Sequence, residues 1–381
     1  MKVLLLNNVP APYFSPLFNE LARVPDWQLT VCYTSSWVST VGWRNDELVS
    51  ASSCGTIVLD RVRPRLTKMI GSPLSAAYTL LALLNRERPD YLICYGYTLK
   101  PQVTLICWAM LTATRFALIG DANYFFDQPG RLKGFAKKLW LRFVVKKASA
   151  LIAIGTASKL FWQRYGASSS QIFKSLLVVD NKFFLAAAAG KAAESLTLRT
   201  RLGLDNKVVF LFVGRLIKRK NVDLIIQAAN RLGASEFGVV IAGSGEEDAR
   251  LKTLAGNNPN VVFVGNVTPQ EVPVFYRMAD VLVLPADQEP WGLVINEAMV
   301  CGLAIIAHQH CGAAVDLVDF DNGIKLRDFS VEELAEAMEA LVRGQSLLRN
   351  MQERSRLKIQ DWSIEKAAEG IVEAVRSTCQ K

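Results

Sequence analysis

The chain has 381 residues and a composition that is 51% hydrophobic, enough for two or three domains with real cores. Its seven cysteines form no Cys-x-x-Cys pair and mostly sit in apolar runs, which argues against a disulfide framework, and no stretch reaches the roughly 18 uninterrupted apolar residues of a membrane span. The net charge of +9 lies wholly in the first half: residues 1–190 carry 22 basic against 10 acidic residues, and residues 191–381 carry 22 against 25. Such asymmetry marks a polyanionic partner, whether nucleic acid, an anionic membrane or a phosphorylated substrate.

The opening "MKVLLLNNVPAPY" has one lysine and too short an apolar run for a signal peptide, so it reads as a first buried strand and a cytoplasmic location is expected. Further apolar runs at 29–34, 91–96, 115–120, 150–155 and 175–179 read as strands, with helical patterns at 74–86, 100–113 and 131–148 between them. Near-continuous apolar strands alternating with helices predict a parallel sheet covered on both faces. The stretch 183–206 has no strand character and reads as a linker with a helical lead-in. The alternation then restarts, with strands at 207–214, 238–243, 261–266, 280–286 and 304–308. The expectation is an α/β chain of two doubly wound, Rossmann-like parallel-sheet domains facing a cleft, over 1–182 and 183–360. A last helix in 361–381, with Ser363 placed as an N-cap, returns to the first domain.

Three motifs of the second half carry chemistry. In "VFLFVGRLIKRKN" a strand ends at Gly214, and Arg215 and Lys220 stand in the loop before the next helix. A guanidinium and an ammonium at a strand's carboxyl end suit a diphosphate. Taken alone, a solvated basic loop explains the run more simply, since Lys218 and Arg219 share it. In "VIAGSGEED", Gly243 and Gly245 let a backbone approach a ligand, although a plain tight turn has the same composition. In "PADQEPWGLVINEAMVCGLAII", Glu289 hangs at a strand end and Trp291-Gly292-Leu293 opens a helix. Glu297 then falls about one turn inside. An isolated carboxylate in a core-like helix marks a site or a satisfied partner.

"GRLIKRKN", "AGSGEE", "EPWGLVINEAMVCGLAII" and "GAAVDLV…DNGIKL", in that order over 209–326, resemble the carboxyl-terminal half of the retaining glycosyltransferases of family four, which have the GT-B fold. The spacing of Glu289 and Glu297 is that family's hallmark. The resemblance implies that Arg215 and Lys220 neutralise the donor diphosphate and that Glu297 holds the ribose. It also implies that Glu289, with the Gly292 and Leu293 amides, positions the donor sugar. Trp291 stands where the family usually has phenylalanine, which reshapes one wall of the donor pocket. The amino-terminal half is similar to bacterial members acting on cell-surface polysaccharides, with Phe14 where many have arginine. "ALIGDANYFF" occupies the stretch where many relatives carry a histidine contacting the transferred sugar, so Asp121 is its polar counterpart, with a strand-end cap as the plain alternative.

The segment 131–149 mixes Arg131, Lys133, Lys137, Lys138, Arg142, Lys146 and Lys147 with Leu132, Phe135, Leu139, Trp140 and Phe143. That composition suits an interfacial helix on anionic lipid, and a domain helix with a solvated basic face has it too. No nucleic-acid-binding motif is present. His308 and His310 have no further ligand at metal spacing, so a structural loop is expected and no metal.

The resemblance therefore implies a retaining, metal-independent hexosyltransferase without a cofactor. It would take a UDP- or GDP-linked sugar as donor and a lipid-linked or surface-polysaccharide acceptor, peripherally at the cytoplasmic face of the membrane. A nucleotide-sugar epimerase or hydrolase, or a non-catalytic membrane-associated nucleotide-sugar binder, shares the same two domains and stays open on sequence alone.

Overall fold

The computed structural model describes residues 1–35, 54–127, 131–233 and 236–379; the side chains of Arg131, Leu132 and Lys133 lie outside the described set. The chain divides into two compact units, residues 1–178 with 364–381, and residues 179–363.

The first unit is built on a seven-stranded sheet of β1 (Lys2–Asn7), β2 (Gln28–Tyr33), β3 (Gly55–Val58), β4 (Tyr91–Tyr95), β5 (Arg115–Gly120), β6 (Ala150–Ala153) and β7 (Ile172–Lys174). Its order is β3-β2-β1-β4-β5-β6-β7, with every pairing parallel. Alternate residues of the central strands face opposite helical layers. Leu4, Leu6, Leu92, Cys94 and Leu118 join one buried cluster with the helices Ser72–Glu87, Lys100–Leu111 and Arg131–Lys147. The helix Ile364–Cys379 belongs to this unit. It is fastened by a 2.8 Å hydrogen bond between Tyr91 and Thr378 and by Ser175 Oγ donating to the Ala367 carbonyl at 2.8 Å.

The second unit has six parallel strands, β8 (Val208–Val213), β9 (Phe237–Ala242), β10 (Val261–Gly265), β11 (Val281–Leu284), β12 (Ala304–His308) and β13 (Gly323–Leu326), in the order β10-β9-β8-β11-β12-β13. β8, β9, β11 and β12 are buried along their whole length, as strands covered on both faces must be. Strand order reverses at β1/β4 in the first sheet and at β8/β11 in the second, and ligands of open parallel sheets bind beyond the strand ends at such reversals.

Three details differ from the sequence reading. The apolar run 175–179 is not a strand; the seventh strand lies just before it, over Ile172–Lys174. β3 and β13 are strands without a continuous apolar run, because each lies at a sheet edge with its middle residues only half-buried. The stretch read as a linker with a helical lead-in is helical over most of its length, in Asn181–Gly190 and Ala192–Arg201. No helix among the described residues is long and apolar enough to cross a membrane.

Candidate active site

At the reversal of the second sheet, the loops leaving β8, β9 and β11 lie against one another. After β8 the backbone passes Gly214 and exposed Arg215, dips inward at buried Leu216 and makes one turn over Lys218–Lys220. Asn221 then takes a left-handed conformation (φ 50°) that starts the helix Val222–Leu232, and its side chain donates to the Pro285 carbonyl at 3.1 Å. Arg219 donates to the Gln288 carbonyl at 2.8 Å, and the Asp287 amide donates to the Arg219 carbonyl at 2.8 Å. These bonds tie the β8 and β11 loops together. They also bring Lys220 Nζ onto Glu289 Oε2, with side-chain exposures of only 12% and 11%.

Gly243 follows β9 with φ 148°, and a Cβ there would lie 1.9 Å from the Gly214 carbonyl oxygen. Only glycine allows the β8 and β9 loops to pass so closely, which leaves backbone in place of side chains at the mouth of the site.

Gly292 is left-handed (φ 94°) and caps the helix Leu293–Val300, whose first amides therefore begin directly beyond Glu289. Trp291 is buried, and its indole N–H donates to Asn296 Oδ1 at 2.9 Å, so the ring packs inward as part of the support for this turn. One turn into the helix, half-buried Glu297 accepts a 2.6 Å hydrogen bond from the hydroxyl of Tyr276, a fully buried residue of the helix Val272–Met278. Burial pushes the Glu297 carboxyl up to about 7, and the Tyr276 hydrogen bond pulls part of the way back. Burial, then the neighbouring Glu297 charge, raises the Cys301 thiol to about 12.

Arg215, Lys220, Gly243, Glu289, Gly292, Leu293 and Glu297 thus all lie on loops or helix starts at the carboxyl ends of β8, β9 and β11. The arrangement offers a guanidinium, an ammonium and helix-start amides for an anion, with two carboxylates for hydroxyl groups. Tyr276 was not legible as a site residue, because only the packing of two helices brings it to Glu297.

Asp121 belongs to the first unit, where it follows β5 and is exposed. Its charge adds to burial in raising the Tyr13 hydroxyl. Asn123 caps the short turn Tyr124–Phe126 by accepting from the Phe125 amide at 2.9 Å. At the β1/β4 reversal of this sheet, Gln102 donates to Asn8 Oδ1 and to the Tyr95 carbonyl, both at 2.6 Å. His308 ends β12 and stacks on Phe329 with ring centroids 4.1 Å apart, a packing role. Among the described residues no group of three His, Cys, Asp or Glu side chains could hold a metal ion.

Residues 196–358 match the family model described as glycosyl transferases group 1. The chain is 30% identical over 311 residues to the D-inositol 3-phosphate glycosyltransferase of Rhodococcus opacus, covering 76% of this chain and 68% of that protein. It is 28% identical over 218 residues to the alpha-D-kanosaminyltransferase of Streptomyces kanamyceticus, a match that spans about half of each chain (56%). Among solved structures, Anabaena Alr3699/HepE in complex with UDP superposes with a TM-score of 0.75 at 17% identity, over 99% of this chain and 100% of that one. A glycosyltransferase from Rickettsia africae gives 0.78 at 14% identity, over 100% and 99%. At these identities the structural likeness speaks for the fold, two Rossmann-like domains as in those transferases.

Proposed function

Since the chain belongs to the group 1 glycosyl transferases, we propose that it moves a hexose from a nucleoside-diphosphate sugar to a lipid-linked or polysaccharide acceptor, with retention at the anomeric carbon. The observation that carries the reading is the Lys220–Glu289 pair at the β8/β11 reversal, with Arg215 in the same loop as Lys220. A cation there already engages a carboxylate through Oε2, leaving Oε1 to accept from sugar hydroxyls.

In the reaction the bond between the anomeric carbon and the diphosphate oxygen breaks, and its electron pair leaves with the diphosphate. Arg215, Lys220 and the amides that begin at Leu293 meet that charge as it develops, the role a divalent ion fills in other transferases. The acceptor hydroxyl attacks from the face of departure and passes its proton to the leaving phosphate oxygen, so no base from the chain is required. Glu297, held by Tyr276, grips the ribose diol, and Glu289 orients the sugar. Asp121, in the stretch where many relatives carry a histidine contacting the transferred sugar, is proposed to act on that sugar.

UDP is the first donor base to try, since Anabaena Alr3699/HepE, of the same fold, was solved with it. The excess of 12 positive charges in residues 1–190 supports an acceptor presented at an anionic membrane surface on the cytoplasmic side. The test is product analysis with UDP- and GDP-hexoses and a lipid-linked acceptor, with chelator and with magnesium. A retained glycosidic product formed equally in both supports the reading. Release of free sugar or an epimer without acceptor transfers it to a hydrolase or epimerase.

A further inference from the structure

The helix Arg131–Lys147 carries two apolar faces, and the fold uses only one. Leu141, Val144 and Val145 are fully buried in the core cluster against the first sheet. Lys137 is also accounted for: it pairs with buried Asp127 at 2.5 Å and lies 5.5 Å from the centre of the Phe161 ring. The opposite side bears Phe135, Leu139 and Phe143, exposed by 66%, 55% and 49%. At four-residue spacing, successive members turn by about 40° around the helix, so the three form one stripe. Exposed Lys138, Arg142 and Lys146 repeat at the same spacing along one edge of it, and none has an ion-pair partner among the described residues. The helix Ser72–Glu87, which joins the same buried cluster, turns Leu74 and Tyr78 outward as well.

A solvated domain helix has no use for two phenylalanines and a leucine in a row on its outer side. Beside these three cations, the stripe matches the cross-section of an anionic bilayer surface, with charge at headgroup depth and apolar side chains just below it. We infer that the outer face of Arg131–Lys147 lies in the plane of an anionic membrane, with Phe135, Leu139 and Phe143 entering the acyl boundary and Lys138, Arg142 and Lys146 meeting the headgroups. This deepens the reading of a membrane-borne acceptor and rests on it for its purpose, but the charge and exposure stand without it. Attraction by charge alone disappears at high salt, whereas inserted side chains hold a salt-resistant fraction.

The experiment is co-sedimentation of the full chain with phosphatidylcholine vesicles, with and without phosphatidylglycerol, at low and high salt. A K138Q/R142Q/K146Q variant is expected to lose about a hundredfold in partitioning onto anionic vesicles. An F135S/L139S/F143S variant is expected to lose the salt-resistant fraction. Unchanged binding of either variant overturns the inference. So does absence of vesicle binding by the natural chain, including the case in which the serine variant instead dissociates a dimer, which would assign the stripe to a second copy. Thermal shift with nucleoside diphosphates on the same proteins separates the two readings. Stripe-dependent vesicle binding without any nucleotide shift leaves the membrane face standing and removes the transferase.

Discussion

Lys220 and Glu289 form an ion pair that joins the loop leaving β8 to the loop leaving β11, with 12% and 11% of their side chains exposed. Removing one member of a pair so deeply placed strands the other charge. Lys220→Ala is expected to cost about 3 kcal/mol of stability. It is also expected to lower kcat/KM for the donor by a factor on the order of a hundred or more, because the leaving diphosphate loses its ammonium. Chemical denaturation and steady-state kinetics measure the two effects separately. Turnover at the natural level in Lys220→Ala removes the diphosphate role.

Glu297 gives the fold a pH dependence of definite sign. Its carboxyl is raised from 4.5 to about 7, chiefly by burial. Between those values the folded chain holds a proton that the unfolded chain has released. Its contribution to stability therefore falls as pH rises across that window and is constant above it, by about 3 kcal/mol in all. Glu297→Gln is expected to remove this slope from a plot of unfolding free energy against pH. Tyr276→Phe, which deletes the hydroxyl that favours the carboxylate, is expected to carry the slope to higher pH. An identical pH profile for the natural chain and Glu297→Gln contradicts the assignment.

Gly243 tests the close passage of two loops. A Cβ would meet the Gly214 carbonyl oxygen at 1.9 Å, from a φ of 148° that side chains rarely adopt. Gly243→Ala is expected to destabilise the chain by several kcal/mol, on the order of 3, and to abolish nucleotide binding. Gly190→Ala, at a helical position with nothing within 4 Å of the added carbon, is expected to be neutral or to stabilise by about 0.5 kcal/mol. Thermal melts of the two side by side decide it.

For Asp121, contact with the transferred sugar predicts a split between kinetic constants. Asp121→Asn is expected to lower kcat by about tenfold or more while the nucleotide's own affinity is unchanged. Calorimetry with the nucleoside diphosphate and turnover assays read the two. Unchanged kcat returns Asp121 to the role of a strand-end residue.

The central strands were legible because a strand covered on both faces must be apolar throughout, as Val208–Val213 and Tyr91–Tyr95 are. Of the edge strands, Val261–Gly265 was legible from its apolar run, whereas Gly55–Val58, Ile172–Lys174 and Gly323–Leu326 were not. Ile172–Lys174 is half-exposed and carries little apolar signal, whereas the apolar run just after it owes its burial to packing beyond the sheet, with Ser175 bonded to the carboxyl-terminal helix. Arg215, Lys220, Glu289 and Glu297 could be placed because each stands at a strand end or helix start, which local pattern reveals. Their partnerships could not. Lys220 and Glu289 are 69 residues apart, and Tyr276 reaches Glu297 from another helix, so neither contact leaves a period in the sequence. The outward stripe of Phe135, Leu139 and Phe143 was equally hidden, since spacing alone does not say which apolar face of a helix meets the core.

The most direct measurement is thermal unfolding of the natural chain and of Lys220→Ala with millimolar UDP, GDP, TDP and ADP, in chelator and then with magnesium. A donor site of the kind described predicts stabilisation by one nucleotide, about 2.7 kcal/mol when ligand is a hundredfold above Kd, equal in both buffers and lost in Lys220→Ala. No stabilisation by any of the four contradicts the account.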